Sequence, residues 1–93
     1  MSNYKKYEEA SERLKAMAHP MRICILKGLS EKPCSNVSAM QECLEVPQST
    51  LSQQLTILRR AGLVKTERKG KCVEYQLVDE RIIELIDFII NEG

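Results

Sequence analysis

The chain has 93 residues, 43% hydrophobic and 29% charged, a balance that fits one small folded domain and leaves no room for two. No apolar run approaches the roughly eighteen residues of a membrane span, and the polar opening MSNYKKYEEASERLK lacks a signal-peptide core, so a cytoplasmic protein with no membrane partner is expected. The formal charge of +1 hides a division: residues 48–72 set Arg59, Arg60, Lys65, Arg68, Lys69 and Lys71 against Glu67 alone, whereas residues 73–93 set Arg81 against six carboxylates. A polyanion would meet the middle of the chain.

The first segment, residues 4–17, is rich in Glu, Lys, Ala and Leu, with Tyr7, Ala10, Leu14 and Met17 at three- and four-residue steps, and reads as a helix. His19-Pro20 interrupts it. Pro20 suits the first turn of a second helix carrying Met21, Ile25 and Leu29 on one face, which Gly28 and residues 30–33 are expected to end. His19 is expected to cap that turn or face solvent. A third helix begins at Ser35 or Asn36 and runs to Leu44 with Val37, Met40 and Leu44 inward. After a tight Glu45-Val46-Pro47 connection, a fourth helix spans residues 48–61, backed by Leu51, Leu55 and Leu58 and stopped by Gly62. Residues 63–68 and 72–78 read as strands of a hairpin, the second alternating Val73, Tyr75 and Leu77 with Cys72, Glu74 and Gln76. Asp79 caps a last helix over residues 80–91.

The order α-α-α-α-β-β-α, mainly helical with a β-hairpin wing, is the outline of a winged helix-turn-helix. The helix-turn-helix falls at residues 35–62 and the wing at residues 63–78 of a single domain, 1–93.

Opposite its leucine stripe, the fourth helix presents Gln48, Ser49, Ser52, Gln53, Thr56 and Arg60. A solvated helix face usually mixes Glu with Lys; this one holds amides and hydroxyls and no acid. Gln can bond adenine bidentately, and Ser or Thr can bond several bases or a phosphate, so the face suits base edges in double-stranded DNA. The hairpin tip adds Arg68, Lys69 and Lys71 around Gly70, in reach of phosphates beside a reading helix. The last helix, with Ile82, Ile83, Leu85, Ile86, Phe88, Ile89 and Ile90, is apolar over nearly its whole circumference. One buried stripe needs about half of these, and the surplus implies a second copy as cover. The expected homodimer interface comprises Tyr7 and Leu14 with Ile82, Leu85, Ile86, Ile89 and Ile90.

The segments AHPMRICIL, VPQSTLSQQLTILRRAGLV and KTERKGKCVEYQL together resemble the ArsR/SmtB repressors over residues 14–77. The resemblance implies a homodimer on an inverted-repeat operator, with the first and last helices dimerising and Gln48, Ser49, Ser52 and Gln53 touching bases. The family's sensor residues are missing. Asn36 and Ser38 stand where one family metal site has a Cys-x-Cys pair. Asp79 matches another site, but Arg81 and Asn91 replace its histidines. Cys24 matches a thiol that some relatives pair with a cysteine of the last helix, which has none here. No cofactor and no intact metal site are expected.

Two cysteine-based sensing alternatives remain. Cys72 lies near Lys69 and Lys71, where positive charge favours thiolate, so it and Cys24 are candidate redox positions. Cys34 and Cys43 are weak candidates for a thiophilic metal and otherwise small buried fillers. From another class, a winged-helix module that binds protein and no DNA competes with the repressor reading. An enzyme is not expected: the chain has no Gly-rich phosphate loop and no Ser/His/Asp set.

Overall fold

The computed structural model describes residues 3–31 and 37–91. Seven elements follow in order: α1 (Tyr4–Met17), α2 (Pro20–Glu31), α3 (Val37–Leu44), α4 (Gln48–Arg60), β1 (Val64–Lys69), β2 (Cys72–Leu77) and α5 (Ile82–Ile90). The expected order is the observed one. The expected start of the third helix at Ser35 or Asn36 lies outside the described residues, as does Cys34, and the side chain of Cys43 is likewise undescribed.

Local chemistry places the helix ends. Nδ1 of His19 accepts the Met21 amide at 3.1 Å, so the lone histidine caps α2. The α2 helix does not stop at Gly28; it continues to Glu31, because packing of Ile25, Leu26 and Leu29 outweighs the propensity loss of one glycine. Glu45 takes a left-handed φ of 54° behind α3 and reverses the chain into Val46-Pro47. At the far end of α4, Gly62 adopts φ 78° while its amide reaches Arg59 O and the Leu63 amide reaches Leu58 O, both at 3.0 Å. That is a Schellman ending, and it swings the chain straight into the wing.

The wing is a two-stranded antiparallel sheet in which Val64 opposes Leu77 and Lys69 opposes Cys72. Leu63 precedes the first strand and Lys69 belongs to it, so the turn is only Gly70-Lys71, with Gly70 at φ 62° in the first central position of a hairpin loop. The expected alternation along β2 is blurred: Cys72 and Val73 are both exposed, and the next four residues are all half-buried. Only the root of the hairpin touches the domain; its tip projects free.

The core forms where α2, α4 and α5 meet, around Leu26, Leu29, Leu51, Leu55, Leu58, Val64 and Ile86. Lys27 of α2 and Asp87 of α5 form an ion pair across its edge. The α5 helix starts at Ile82, two residues later than expected. Residues 79–84 make tight i to i+3 backbone bonds there, while Asp79 Oδ1 still accepts the Arg81 amide at 2.9 Å.

Candidate nucleic-acid interface

Leu51, Leu55 and Leu58 are fully buried, which fixes the opposite side of α4 outward. Gln48, Ser49, Ser52, Gln53 and Arg60 are exposed there, and Thr56 is half-buried. The Thr56 hydroxyl donates to Ser52 O at 2.9 Å, which spends its proton and leaves its methyl and lone pairs. Before α4, Pro47 supplies no side-chain cap bond. The first-turn amides therefore point outward uncapped, beside the Gln48 and Ser49 side chains, in an arrangement suited to phosphate. No acidic side chain lies anywhere in α4.

Arg59 and Arg60 project from the end of α4, and Arg68 and Lys71 from the wing, all exposed and without an ion pair among the described residues. Lys69 differs: its Nζ lies 3.4 Å from Glu74 Oε1. Glu67 and Glu74 oppose each other across the strands, a repulsive pairing that Lys69 relieves on one side and the Gln76 amide, 3.0 Å from Glu67, on the other. One of the three expected phosphate ligands thus also neutralises an acid of the wing itself.

Large apolar side chains stand exposed on α1 and α5. Phe88 is 80% exposed, Ile89 62%, and Leu85 and Ile90 are also exposed on α5; Tyr4, Tyr7 and Leu14 are exposed on α1. Between them Leu14, Met17, Ala18, Ile23, Ile86, Ile89 and Ile90 line a hollow of about 360 Å³. Ile86 of the expected interface lies mostly inside the single chain. Only 2% of its surface is exposed, because it is the α5 residue that plugs the chain's own core. Ile82 is half-buried against that core as well. Phe88, the most exposed of the large apolar side chains described, was not among the expected interface residues, although its place opposite the inward Ile86 side marks it as outward-facing.

The thiols of Cys24 and Cys72 are free and exposed, Cys72 directly across the strands from Lys69. Among the described residues no three His, Cys, Asp or Glu side chains gather as a metal site. Asp79 is engaged otherwise: the Arg81 guanidinium binds its carboxylate through Nε at 3.1 Å and a terminal nitrogen at 2.7 Å. These bonds, with the Arg81 amide, lower its pKa to about 2. No described helix is long and apolar enough to cross a membrane.

Residues 17–67 match the model of a helix-turn-helix domain, a span from the last residue of α1 into β1. An uncharacterised HTH-type transcriptional regulator of Methanocaldococcus jannaschii is 40% identical over 84 residues, 90% of this chain and 94% of that protein. The transcriptional repressor SmtB of Mycobacterium tuberculosis is 39% identical over 87 residues, 92% of this chain and 64% of that one. The crystal structure of the transcriptional repressor PagR of Bacillus anthracis superposes with a TM-score of 0.84 at 34% identity, covering 92% of this chain and 98% of that one. The chain belongs to the ArsR/SmtB-type helix-turn-helix transcriptional regulators, a family of DNA-binding proteins and not of enzymes.

Proposed function

We propose that the protein is a homodimeric repressor that reads an inverted-repeat operator with α4, through Gln48, Ser49, Ser52, Gln53 and Thr56, and grips flanking phosphates with Arg60, Arg68, Lys69 and Lys71. The observation that carries this reading is the outward face of α4, uncapped, acid-free and rich in amides and hydroxyls, with exposed cations at its end and on the wing. The exposed apolar side chains of α1 and α5 support the two-fold part of the reading. The exposed Phe88, Ile89, Ile90, Leu85, Tyr7 and Leu14 form one apolar surface on α1 and α5, and a second copy of the same surface is its natural cover. A winged helix-turn-helix domain of Mycobacterium bovis with the same fold is homodimeric.

A dimer of this kind places two α4 helices in successive major grooves, about 34 Å apart or a multiple of it. Selection of bound duplexes from random sequence tests the reading. The expected product is a palindrome whose half-sites are separated by whole turns, bound with an affinity that drops steeply between roughly 50 and 200 mM salt. Recovery of no enriched sequence overturns it and favours a protein-binding winged helix. The repression is proposed without a cofactor.

A further inference from the structure

Arg22 is the half-buried charge that the account so far leaves without a role. It sits in the first turn of α2, against α4, and one terminal nitrogen donates to the Gln54 side-chain oxygen at 3.2 Å, across 32 residues of sequence. Its Nε is shut off from solvent and has no hydrogen-bond partner, and no carboxylate pairs with the guanidinium among the described residues. A buried donor left unpaired, on a cation held by a neutral amide, weakens a fold. Methionine or leucine would fill the same space without that loss. The arrangement makes sense if the guanidinium is there to hold Gln54.

Gln54 occupies a telling position. It follows Gln53 by one residue and lies half-buried on the flank of α4, between the leucine stripe and the reading face. The three buried leucines decide which side of α4 faces out, but hydrophobic contact has no direction and sets the fine rotation of the helix less sharply than a hydrogen bond does. A hydrogen bond from a planar guanidinium does have direction. Side-chain atoms stand about 5–6 Å from a helix axis, so a rotation of about 20° moves them by about 2 Å. That is more than a bidentate bond to a base tolerates.

We propose that Arg22 is a positioning residue for sequence reading: gripping Gln54 from beneath, it sets the rotation of α4 about its own axis and so decides which atoms of Gln53, Ser52 and Ser49 meet the base edges. The inference rests on the DNA-reading role of α4 and adds to it a residue outside the DNA face.

The test compares wild type, Arg22→Met, Gln54→Met and the double variant in binding to two probes, the duplex selected from random sequence and an unselected duplex of equal length. Affinity for the selected duplex is expected to fall about tenfold in each single variant, and no further in the double variant, because both remove one bond. Affinity for the unselected duplex, and the salt dependence, stay as in wild type. Unchanged affinity of Arg22→Met for the selected duplex overturns the inference. So does a parallel loss on both probes with a salt slope lower by about one, which marks a phosphate ligand instead. If Arg22→Met does not fold, Gln54→Met decides alone, since its side chain carries no charge and fills similar volume. If wild type itself distinguishes neither probe, the DNA-reading role has failed, and that result is separable from failure of Arg22 alone.

Discussion

Asp79 shows how one carboxylate serves the entry into α5. Its Oδ1 accepts the Arg81 amide at the helix start, and the Arg81 side chain folds back onto the same carboxylate. Because these bonds favour the ionised form, the pKa falls from 3.8 to about 2. A carboxylate whose pKa is lowered by folding adds stability above its unfolded value and loses it as pH drops through the folded one. The contribution of Asp79 is therefore complete above about pH 4 and vanishes toward pH 2. Asp79→Asn is expected to flatten the decline of stability between those limits, measured by urea unfolding at successive pH values. An unchanged decline would assign the acid sensitivity to other carboxylates.

At the scale of elements, α2 illustrates packing against propensity. Gly28 sits exposed inside the helix, and a Cβ built there meets nothing within 4 Å. Gly28→Ala is therefore expected to stabilise the fold by about 1 kcal/mol, seen as a higher urea midpoint with an unchanged slope. A loss of stability would mean that the glycine is needed for a close approach. The reading of the sequence put the end of this helix at Gly28 and residues 30–33, and α2 runs through the glycine to Glu31, inside that stretch, because Leu29 continues its inward face. By contrast α4 was legible end to end: Leu51, Leu55 and Leu58 keep strict helical period, and Gly62 supplies the left-handed ending that a branched residue could not. The wing was legible in outline and not in its turn, since Lys69 gives no chemical sign of belonging to a strand. The α5 helix was the hardest. Seven apolar residues on one short helix announce more apolar surface than one stripe needs, without saying that Ile86 turns inward and Phe88 outward. The bond between Arg22 and Gln54 had no local signal at all, being 32 residues long in sequence.

The whole molecule divides its work between two surfaces. Its polar face, α4 with the wing, carries exposed cations, and its apolar face, α1 with α5, exposes large side chains that one protomer cannot cover. The core of Leu26, Leu51, Leu55, Leu58 and Ile86 joins the two, so in the proposed dimer the packing of α1 and α5 would set the spacing of the two α4 helices. Phe88→Glu places like charges near a two-fold axis and is expected to yield a folded monomer in sedimentation, with operator affinity lost because one half-site contact cannot replace two. A Phe88→Glu protein that remains dimeric would move the interface elsewhere. The central claim, that the amide-and-hydroxyl face of α4 reads duplex sequence, is tested most directly by fluorescence anisotropy of the selected duplex with wild type and with Ser52→Ala/Gln53→Ala. The double variant is expected to stay dimeric and to bind selected and unselected duplexes equally weakly. A variant that keeps the full preference of wild type would contradict the claim.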